Sequence, residues 1–320
     1  ELGLYPEDGR LRGGRDPDAA LQRRRTARDG LMARYRLILD DTGASLHYRA
    51  LAAWRLGAEP QLLPPDLPDP QAPPERGQLE AFIAGFIGFG MADTAYSEAQ
   101  DRMAGLDQES VRRLVRDIAA AGHIDSSMRL IIALMARPDW EPRLSDYELL
   151  YPRPFISELR SIRPRPDVSE DLIYGLVRSE SYFSHDAYSR AGAIGLTQLM
   201  PGTAAEVASA LGMAAYDLRS PKDNIRIGAA MFADLLDETG GRAFRAMMAY
   251  NAGRSRLKKW MAESGDLPDD LMIEALGIEE TRQYCRNILQ ATVMYGEIYY
   301  GIPVATSVGE IVEGQADKRP

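Results

Sequence analysis

The chain has 320 residues, of which 45% are hydrophobic, and its formal net charge is −9. This length is enough for about two domains with separate cores, whereas the acidic balance disfavours general nucleic-acid binding, which needs a basic surface. The single cysteine, Cys285, excludes an intramolecular disulfide and predicts a buried free thiol, since it sits in a helical pattern. Three scattered histidines show no metal-ligand spacing, and no phosphate-binding loop or dinucleotide fingerprint is present. We therefore predict neither a metal nor a cofactor.

The first half of the chain is dominated by apolar residues at helical spacing, with no competing strand pattern. Segments with this spacing include Ala19 to Leu39, Leu79 to Phe89, Ser110 to Ala121 and Ser126 to Met135. Paired helices of this kind can stack into an α-solenoid, although no fixed-period repeat is evident. The pattern predicts an α-helical, solenoid-like domain with its linker over residues 1–158.

The most apolar run of the chain extends from Phe82 to Ala92. It is too short to cross a bilayer, and we interpret it as a buried helix in close contact with a neighbour rather than a membrane contact. We predict no transmembrane segment. No signal peptide is visible and the chain begins with Glu1, so it is interpreted as a processed or trimmed product.

Proline-rich stretches predict a surface loop at residues 64–74 and a stiff connection between the two halves at residues 151–166. After this connection, Ser169 is a candidate N-cap, followed by two acidic residues that suit the start of a helix. The apolar stripe of the predicted helix consists of Leu172, Ile173, Leu176 and Val177. Glu180 continues the same helix and is placed at the edge of its buried face.

A carboxyl group in this position tends to have a raised pKa, because desolvation disfavours its ionised form. A Glu180 that keeps its proton near neutral pH could protonate a leaving oxygen as a general acid. The alternative is a solvated or salt-bridged helix-end glutamate, which is the commoner case when position alone is considered.

Residues that could bind a sugar follow this helix. Gly192 and Gly195 would let a flat loop approach a ligand closely, because glycine lacks a Cβ and tolerates positive φ. Gln198 and Asn251 offer amide groups suited to acetamido and hydroxyl partners. For the glycines alone, an ordinary tight turn is the simpler reading.

Two tyrosines, Tyr250 and Tyr284, could pack against sugar faces and place a hydroxyl group near Glu180. Without further context, a core aromatic with a satisfied hydroxyl is the default interpretation of both. Met200 is a candidate binding residue that could also serve packing only.

Helix boundaries can be predicted through the second half. Thr203 and Glu206 suggest a capping box, and Ser220 followed by Pro221 predicts the start of another helix, which ends at Gly240. A last long helix is predicted from about Glu279 to Tyr300. Only Ala193 to Leu199 has a pattern compatible with short strands.

Five sequence blocks occur in an order that resembles one family. They are Glu180-Ser181-x-Phe183, the segment from Ser189 to Pro201, Asn224-Ile225 with Gly228, Ala249 to Gly253, and Glu280-Thr281-Arg282 with Tyr284. Each block is weak alone, but together they resemble the soluble lytic transglycosylases of bacterial cell-wall turnover, in the branch with a goose-lysozyme-like catalytic domain. The resemblance covers about residues 162–301.

The resemblance implies a mainly α architecture. A lysozyme-like, mostly helical catalytic domain with a small β element is expected over residues 159–304, followed by a C-terminal tail over residues 305–320. It is preceded in the family by an α-superhelical domain, which fits the helical first half of this chain.

The resemblance also implies an activity, which is cleavage of the β-1,4 bond between N-acetylmuramic acid and N-acetylglucosamine with formation of a 1,6-anhydro end. Glu180 would be the catalytic acid and base. The implied substrate-binding residues are Ser189, Gln198, Met200, Tyr250, Asn251 and Tyr284. The partner would be peptidoglycan glycan strands in the periplasm or cell envelope of a bacterium, and the helical domain could contact a protein partner.

Glycosidases usually need two carboxylates, whereas the motifs supply one. Asp186 is the acidic residue close after Glu180, and it is interpreted as a loop aspartate. Two alternatives stay open at this point: a goose-type lysozyme, in which water attacks instead of the C6 hydroxyl, and a non-catalytic peptidoglycan-binding scaffold. The chain departs from the family pattern at Met231, at Cys285 and in the loop Ser184-His185-Asp186.

Overall fold

The computed structural model describes residues 17–64, 75–162 and 168–314. These residues form sixteen α-helices, together with a 3-10 turn at Met103–Gly105 and a π-helical turn at Gly296–Tyr300. No strand is present in these ranges, and no helix within them is long and apolar enough to cross a bilayer. The predicted proline-rich loop lies mostly outside the described residues, as does the Arg163-Pro164-Arg165-Pro166 part of the predicted connection.

Eight helices form the first half of the molecule. They are α1 (Pro17–Asp40), α2 (Leu46–Leu56), α3 (Gln78–Gly88), α4 (Ala92–Asp101), α5 (Gln108–Ala120), α6 (Ile124–Met135), α7 (Leu144–Leu150) and α8 (Ile156–Ser161). The four segments predicted from periodicity correspond to α1, α3, α5 and α6. Helices α3 to α6 surround an apolar cluster of their own, centred on residues such as Ile83, Leu114 and Ile131.

Eight further helices form the second half. They are α9 (Glu170–Ser181), α10 (Pro201–Ala210), α11 (Pro221–Glu238), α12 (Ala243–Ala252), α13 (Arg254–Ser264), α14 (Asp269–Ala275), α15 (Glu279–Tyr295) and α16 (Val304–Val312). Their apolar faces share one large core, to which α2 of the first half also contributes Ala50 and Ala53. The buried free thiol predicted for Cys285 is confirmed, because that side chain is enclosed in this core on α15.

Helix α9 runs through the middle of this core, packed along α15. Its predicted apolar stripe is confirmed as fully enclosed. The two helices approach so closely at Gly175 that a Cβ there would lie 2.7 Å from the Thr292 hydroxyl oxygen and 3.2 Å from the Ile288 carbonyl oxygen. This contact fixes α9 against α15, and so fixes the direction of the Glu180 side chain near the end of α9.

The predicted β element is small. Two isolated antiparallel bridges pair Tyr188 with Ile194 and Ile194 with Leu199, and no ladder extends from them within the described chain. The segment is held instead by turns in which Gly192, Gly195 and Gln198 adopt positive φ. We call residues 187–199 the glycine loop.

Two local predictions are wrong. Helix α10 begins at Pro201 with Met200 as its N-cap, so Thr203 lies inside the first turn and forms no capping box. The apolar run from Phe82 is not a buried helix: Phe82 is 53% exposed and Phe89 is 86% exposed, while Ile83 is enclosed. Helix α3 touches α4 and α5 on one side, where Phe86 and Ile87 are partly buried, and Phe82 is left at the surface.

The other boundaries agree better with the sequence. Ser220 caps α11 by accepting a hydrogen bond from the Asp223 backbone N–H, and Pro221 occupies the first turn. Helix α15 ends at Tyr295 and continues as the π-helical turn. The predicted tail begins as α16, whose Val308 and Ile311 are enclosed in the large core. The domain boundary predicted near residue 158 stays a prediction.

Candidate active site

Glu180 is the penultimate residue of α9 and its carboxylate meets a side chain from α15. The Tyr284 hydroxyl donates a hydrogen bond of 2.6 Å to Oε1 of Glu180. Tyr284 is 8% exposed and Glu180 is half-buried, so the pair lies between the core and the surface. The structure therefore joins the first and last of the five sequence blocks at one carboxylate.

Burial raises the pKa of the Glu180 carboxyl to about 7, and the hydrogen bond from Tyr284 acts in the opposite direction. Burial also raises the pKa of the Tyr284 hydroxyl well above its usual value, so Tyr284 remains a neutral donor. A carboxyl group with a pKa near neutrality can exchange a proton in both directions at physiological pH. This property suits a residue that acts first as an acid and then as a base.

Tyr250, on α12, lies beside this pair. Its hydroxyl donates a hydrogen bond of 2.8 Å to the backbone carbonyl of Thr197 in the glycine loop. Its pKa is raised by burial and, to a smaller extent, by the negative charge of Glu180. Tyr250 thus connects α12 to the loop and faces Glu180, but the hydroxyl proton is committed to the backbone.

The glycine loop is anchored to the end of α9 by Ser181. Its hydroxyl donates to the carbonyl oxygen of Leu196 at 2.8 Å and lies 3.2 Å from that of Val177. The residue after the proposed acid therefore fixes the loop relative to the carboxylate. Among the described side chains, this is the direct link between Glu180's own helix and the loop beside it.

Asn224 anchors the other side of the loop. Its side-chain oxygen accepts from the Thr197 backbone N–H at 2.8 Å and from the Thr197 hydroxyl at 2.7 Å. Its side-chain nitrogen donates to the carbonyls of Ile194 and Leu218 at 3.0 and 2.9 Å. Asn224 and Thr197 are completely buried. The hydrogen bonds of the Asn224 amide therefore hold the loop in place, as the hydrogen bonds of a β-sheet would. Sequence reasoning placed Asn224 in a motif block but gave it no role.

Ser189 and Gln198 are both in the loop, and both make internal hydrogen bonds. The Ser189 hydroxyl accepts from the Ala193 backbone N–H at 2.9 Å. The Gln198 side-chain nitrogen donates to the Gly195 carbonyl at 2.9 Å, with a longer 3.4 Å contact to Ala187. A polar contact from Gln198 to a ligand would therefore come from its amide oxygen.

Asn251 and Met200 occupy different surroundings. The side-chain oxygen of Asn251 accepts a hydrogen bond of 2.7 Å from the Thr281 hydroxyl, which joins the fourth sequence block to the fifth. Met200 is 44% exposed at the start of α10. The assignment of these residues to substrate binding stays a prediction.

No second carboxylate of the described residues contributes to the pKa of Glu180. Asp186 is exposed, and its partners are His185 at 3.3 Å and Arg219 at 3.9 Å. Within the described parts of the chain, no group of three His, Cys, Asp or Glu side chains could hold a metal ion.

Comparison with known proteins identifies the region around this site. The family model described as the transglycosylase SLT domain matches residues 160–273, which include Glu180, the glycine loop and Tyr250. Over these residues, the chain is similar to the transglycosylase SLT domain family. The match ends before α15, so Tyr284 lies outside the matched residues.

Two curated relatives of this chain are named soluble lytic murein transglycosylases. The soluble lytic murein transglycosylase of Salmonella typhimurium is 27% identical over 254 residues, which are 78% of this chain and 38% of that protein. The soluble lytic murein transglycosylase of Escherichia coli K12 is 29% identical over 134 residues, or 40% of this chain and 21% of that protein. The chain thus spans less than half the length of these relatives.

Solved structures agree with this relationship. The 70 kDa soluble lytic transglycosylase of Escherichia coli superposes with a TM-score of 0.72 at 22% identity, covering 93% of this chain and 47% of that one. An inactive glutamate-to-glutamine variant of lytic transglycosylase Slt from Pseudomonas aeruginosa gives a TM-score of 0.68 at 26% identity, covering 86% and 44%. The prediction of a mainly helical chain with a lysozyme-like domain is confirmed.

The Tyr284 hydrogen bond gives a testable pH effect. In Tyr284→Phe, loss of the donor should raise the pKa of Glu180 further, because that hydrogen bond stabilises the ionised carboxylate. We expect the alkaline limb of the pH–rate profile to move to higher pH. The rate at pH 6 should fall about tenfold or more, because the carboxylate that forms when Glu180 gives up its proton loses a hydrogen bond, and hydrogen bonds to charged groups contribute about 1.5–3 kcal/mol.

The measurement is kcat/KM against pH for both proteins. Tyr96→Phe is the matched control, because Tyr96 lies on α4 beside the separate cluster of the first half. An alkaline limb that stays in place in Tyr284→Phe would show that this hydroxyl does not act on Glu180.

Proposed function

We propose that this chain is a peptidoglycan lytic transglycosylase with Glu180 as its single acid and base. The observation that carries the proposal is the Glu180 carboxyl, which is raised to a pKa of about 7 by burial and is held by Tyr284. A non-catalytic scaffold has no need of a proton donor in such a position. The names of the curated relatives support the same activity.

Protonated Glu180 would give its proton to the glycosidic oxygen, and the bond from that oxygen to the anomeric carbon of N-acetylmuramic acid would break. The substrate's own acetamido group would stabilise the electron-poor anomeric carbon, in place of a second carboxylate. Ionised Glu180 would then take the proton of the C6 hydroxyl, whose oxygen closes on the anomeric carbon. The products are a 1,6-anhydro end and a free N-acetylglucosamine hydroxyl, and Glu180 is protonated again.

In this proposal the substrate lies along the glycine loop. Tyr284 positions the carboxylate, and Tyr250 supports the loop through Thr197. Ser189, Gln198, Met200 and Asn251 contribute contacts to the sugars. The inactivity of the glutamate-to-glutamine variant of the Pseudomonas aeruginosa relative fits a mechanism that depends on one glutamate.

The substrate would be peptidoglycan glycan strands, which places the protein in the periplasm or cell envelope of a bacterium. The curated relatives named above are bacterial and carry "soluble" in their names. The helical first half would contact a protein partner through its exposed surface, on which Phe82 and Phe89, on and after α3, are exposed.

The deciding experiment is mass spectrometry of the soluble products after incubation of the protein with purified peptidoglycan. Products with 1,6-anhydro ends are expected. Reducing ends would instead identify a lysozyme-type hydrolase, in which water takes the place of the C6 hydroxyl. Glycan binding with no products from fresh enzyme would favour the scaffold.

A further inference from the structure

Arg178 lies two residues before Glu180 and has unusual surroundings. Its guanidinium carbon is 4.7 Å from the centre of the Tyr151 ring and 5.3 Å from that of the Tyr182 ring. The side chain is half-buried, and its Nε is buried without a hydrogen-bond partner. The two aromatic rings hold the guanidinium in place, and its Nε donor makes no hydrogen bond.

A second arginine reaches the same tyrosine from the other half of the chain. The guanidinium carbon of Arg129, which is exposed on α6, lies 5.9 Å from the centre of the Tyr182 ring. Two positive charges therefore share one aromatic ring where the helical first half meets α9. Within residues 17–64, 75–162 and 168–314, no carboxylate forms an ion pair with either arginine.

Two other arginines with low exposure, one of them fully buried, have carboxylate partners. Arg112 is paired with Asp146 at 2.6 Å, and Arg55 with Asp270 at the same distance. In a chain with a net charge of −9, two neighbouring guanidiniums without acidic partners form a local positive site. Such an arrangement suits an incoming carboxylate, which a guanidinium can bind through two parallel hydrogen bonds.

We propose that Arg129 and Arg178 bind a carboxylate of the peptide that is attached to the N-acetylmuramic acid of the substrate. This inference rests on the proposed function, since it takes peptidoglycan as the substrate. It assigns the arginine pair, with Tyr182 between its members, to recognition of the peptide rather than of the sugars. It also gives the helical first half a part in substrate binding through Arg129.

The general dimensions of a helix and of an extended peptide allow a bound strand to reach this pair. Residues two apart on a helix project about 200° apart, so Arg178 points away from the side on which Glu180 holds the sugars. A helix is about 10–12 Å across with its side chains. An extended peptide of four residues spans about 13 Å, which is enough to pass from the cleft around the end of α9. The helix ends there, because Tyr182 adopts φ 50°.

The test compares binding of two soluble glycan fragments that differ only in the peptide. Peptide-bearing fragments and the same fragments stripped by an amidase are titrated against protein in the Glu180→Gln background, so that no turnover occurs. We expect Arg129→Gln to reduce the ratio of the two affinities about tenfold, and Arg129→Gln combined with Arg178→Gln to abolish the preference for the peptide.

Arg256→Gln is the matched control, because Arg256 is an exposed arginine on α13 and should keep the parental ratio. Since Arg178 packs between two rings, the Tm of each variant is measured as well. An unchanged ratio in folded Arg129→Gln and double variants would overturn the proposal, and so would a lowered Tm with no change in ratio. Analysis of the products formed by the wild-type protein tests the proposed function separately. Failure of the transglycosylase proposal can therefore be distinguished from failure of the peptide-binding proposal.

Discussion

Replacing Glu180 by glutamine is expected to lower peptidoglycan turnover about a thousandfold. The amide keeps the shape of the side chain but can neither donate a proton to the glycosidic oxygen nor remove one from the C6 hydroxyl. General acid–base catalysis typically contributes about 10²–10⁴ in rate, and here one residue would supply both proton transfers. The measurement is release of soluble muropeptides per enzyme per minute, and wild-type turnover by the variant would refute the assignment.

The same variant should fold at least as well as the parent protein. Because the folded-state pKa of Glu180 is about 7, above the ordinary 4.5, the folded protein favours the protonated carboxyl. Its contribution to stability is fully present below pH 4.5 and is lost as the pH rises through 7. Glutamine stays neutral, so Glu180→Gln should raise the Tm at pH 8, with a smaller difference at pH 5. A lower Tm at pH 8 would show that the ionised carboxylate is stabilised in the fold.

Gly195→Ala is expected to destabilise the protein by more than about 3 kcal/mol, which is in the range of severe single substitutions. Gly195 has φ 77° and is enclosed in the glycine loop. A Cβ there would lie 2.3 Å from the Asn224 side-chain nitrogen and 2.3 Å from the Leu218 backbone oxygen. The loop would have to move away from Asn224, so loss of turnover should accompany the loss of stability.

Gly212→Ala separates backbone strain from this clash. Gly212 also has positive φ, at 66°, but a Cβ there would meet nothing within 4 Å. Its substitution should cost only the left-handed backbone penalty of about 1–2 kcal/mol and leave turnover unaltered. The comparison is made by urea unfolding of both variants. Equal destabilisation of the two would show that the contact with Asn224 is not what requires glycine at residue 195.

The sequence was most informative where a local pattern had one physical solution. The apolar spacing before Glu180 predicted a buried helix with the carboxylate at the edge of its buried face. The structure buries α9 from Asp171 to Val177 and leaves Glu180 half-buried. The pairing of Ser220 with Pro221 likewise determined the start of α11. Local patterns failed where a neighbour decided the result. The apolar run on α3 predicted burial, but only one side of that helix has a partner.

The chemistry of the site shows the same division. The sequence by itself determined that the chain is mainly helical, that Glu180 closes a buried helix, and that the five blocks belong together. Only the tertiary structure decided that the Tyr284 hydroxyl, 104 residues away, meets that carboxylate, and that Asn224 supports the glycine loop in place of a sheet. These contacts join residues distant in the chain, so their geometry depends on how α9, α11 and α15 pack, and helical periodicity carries no information about that packing.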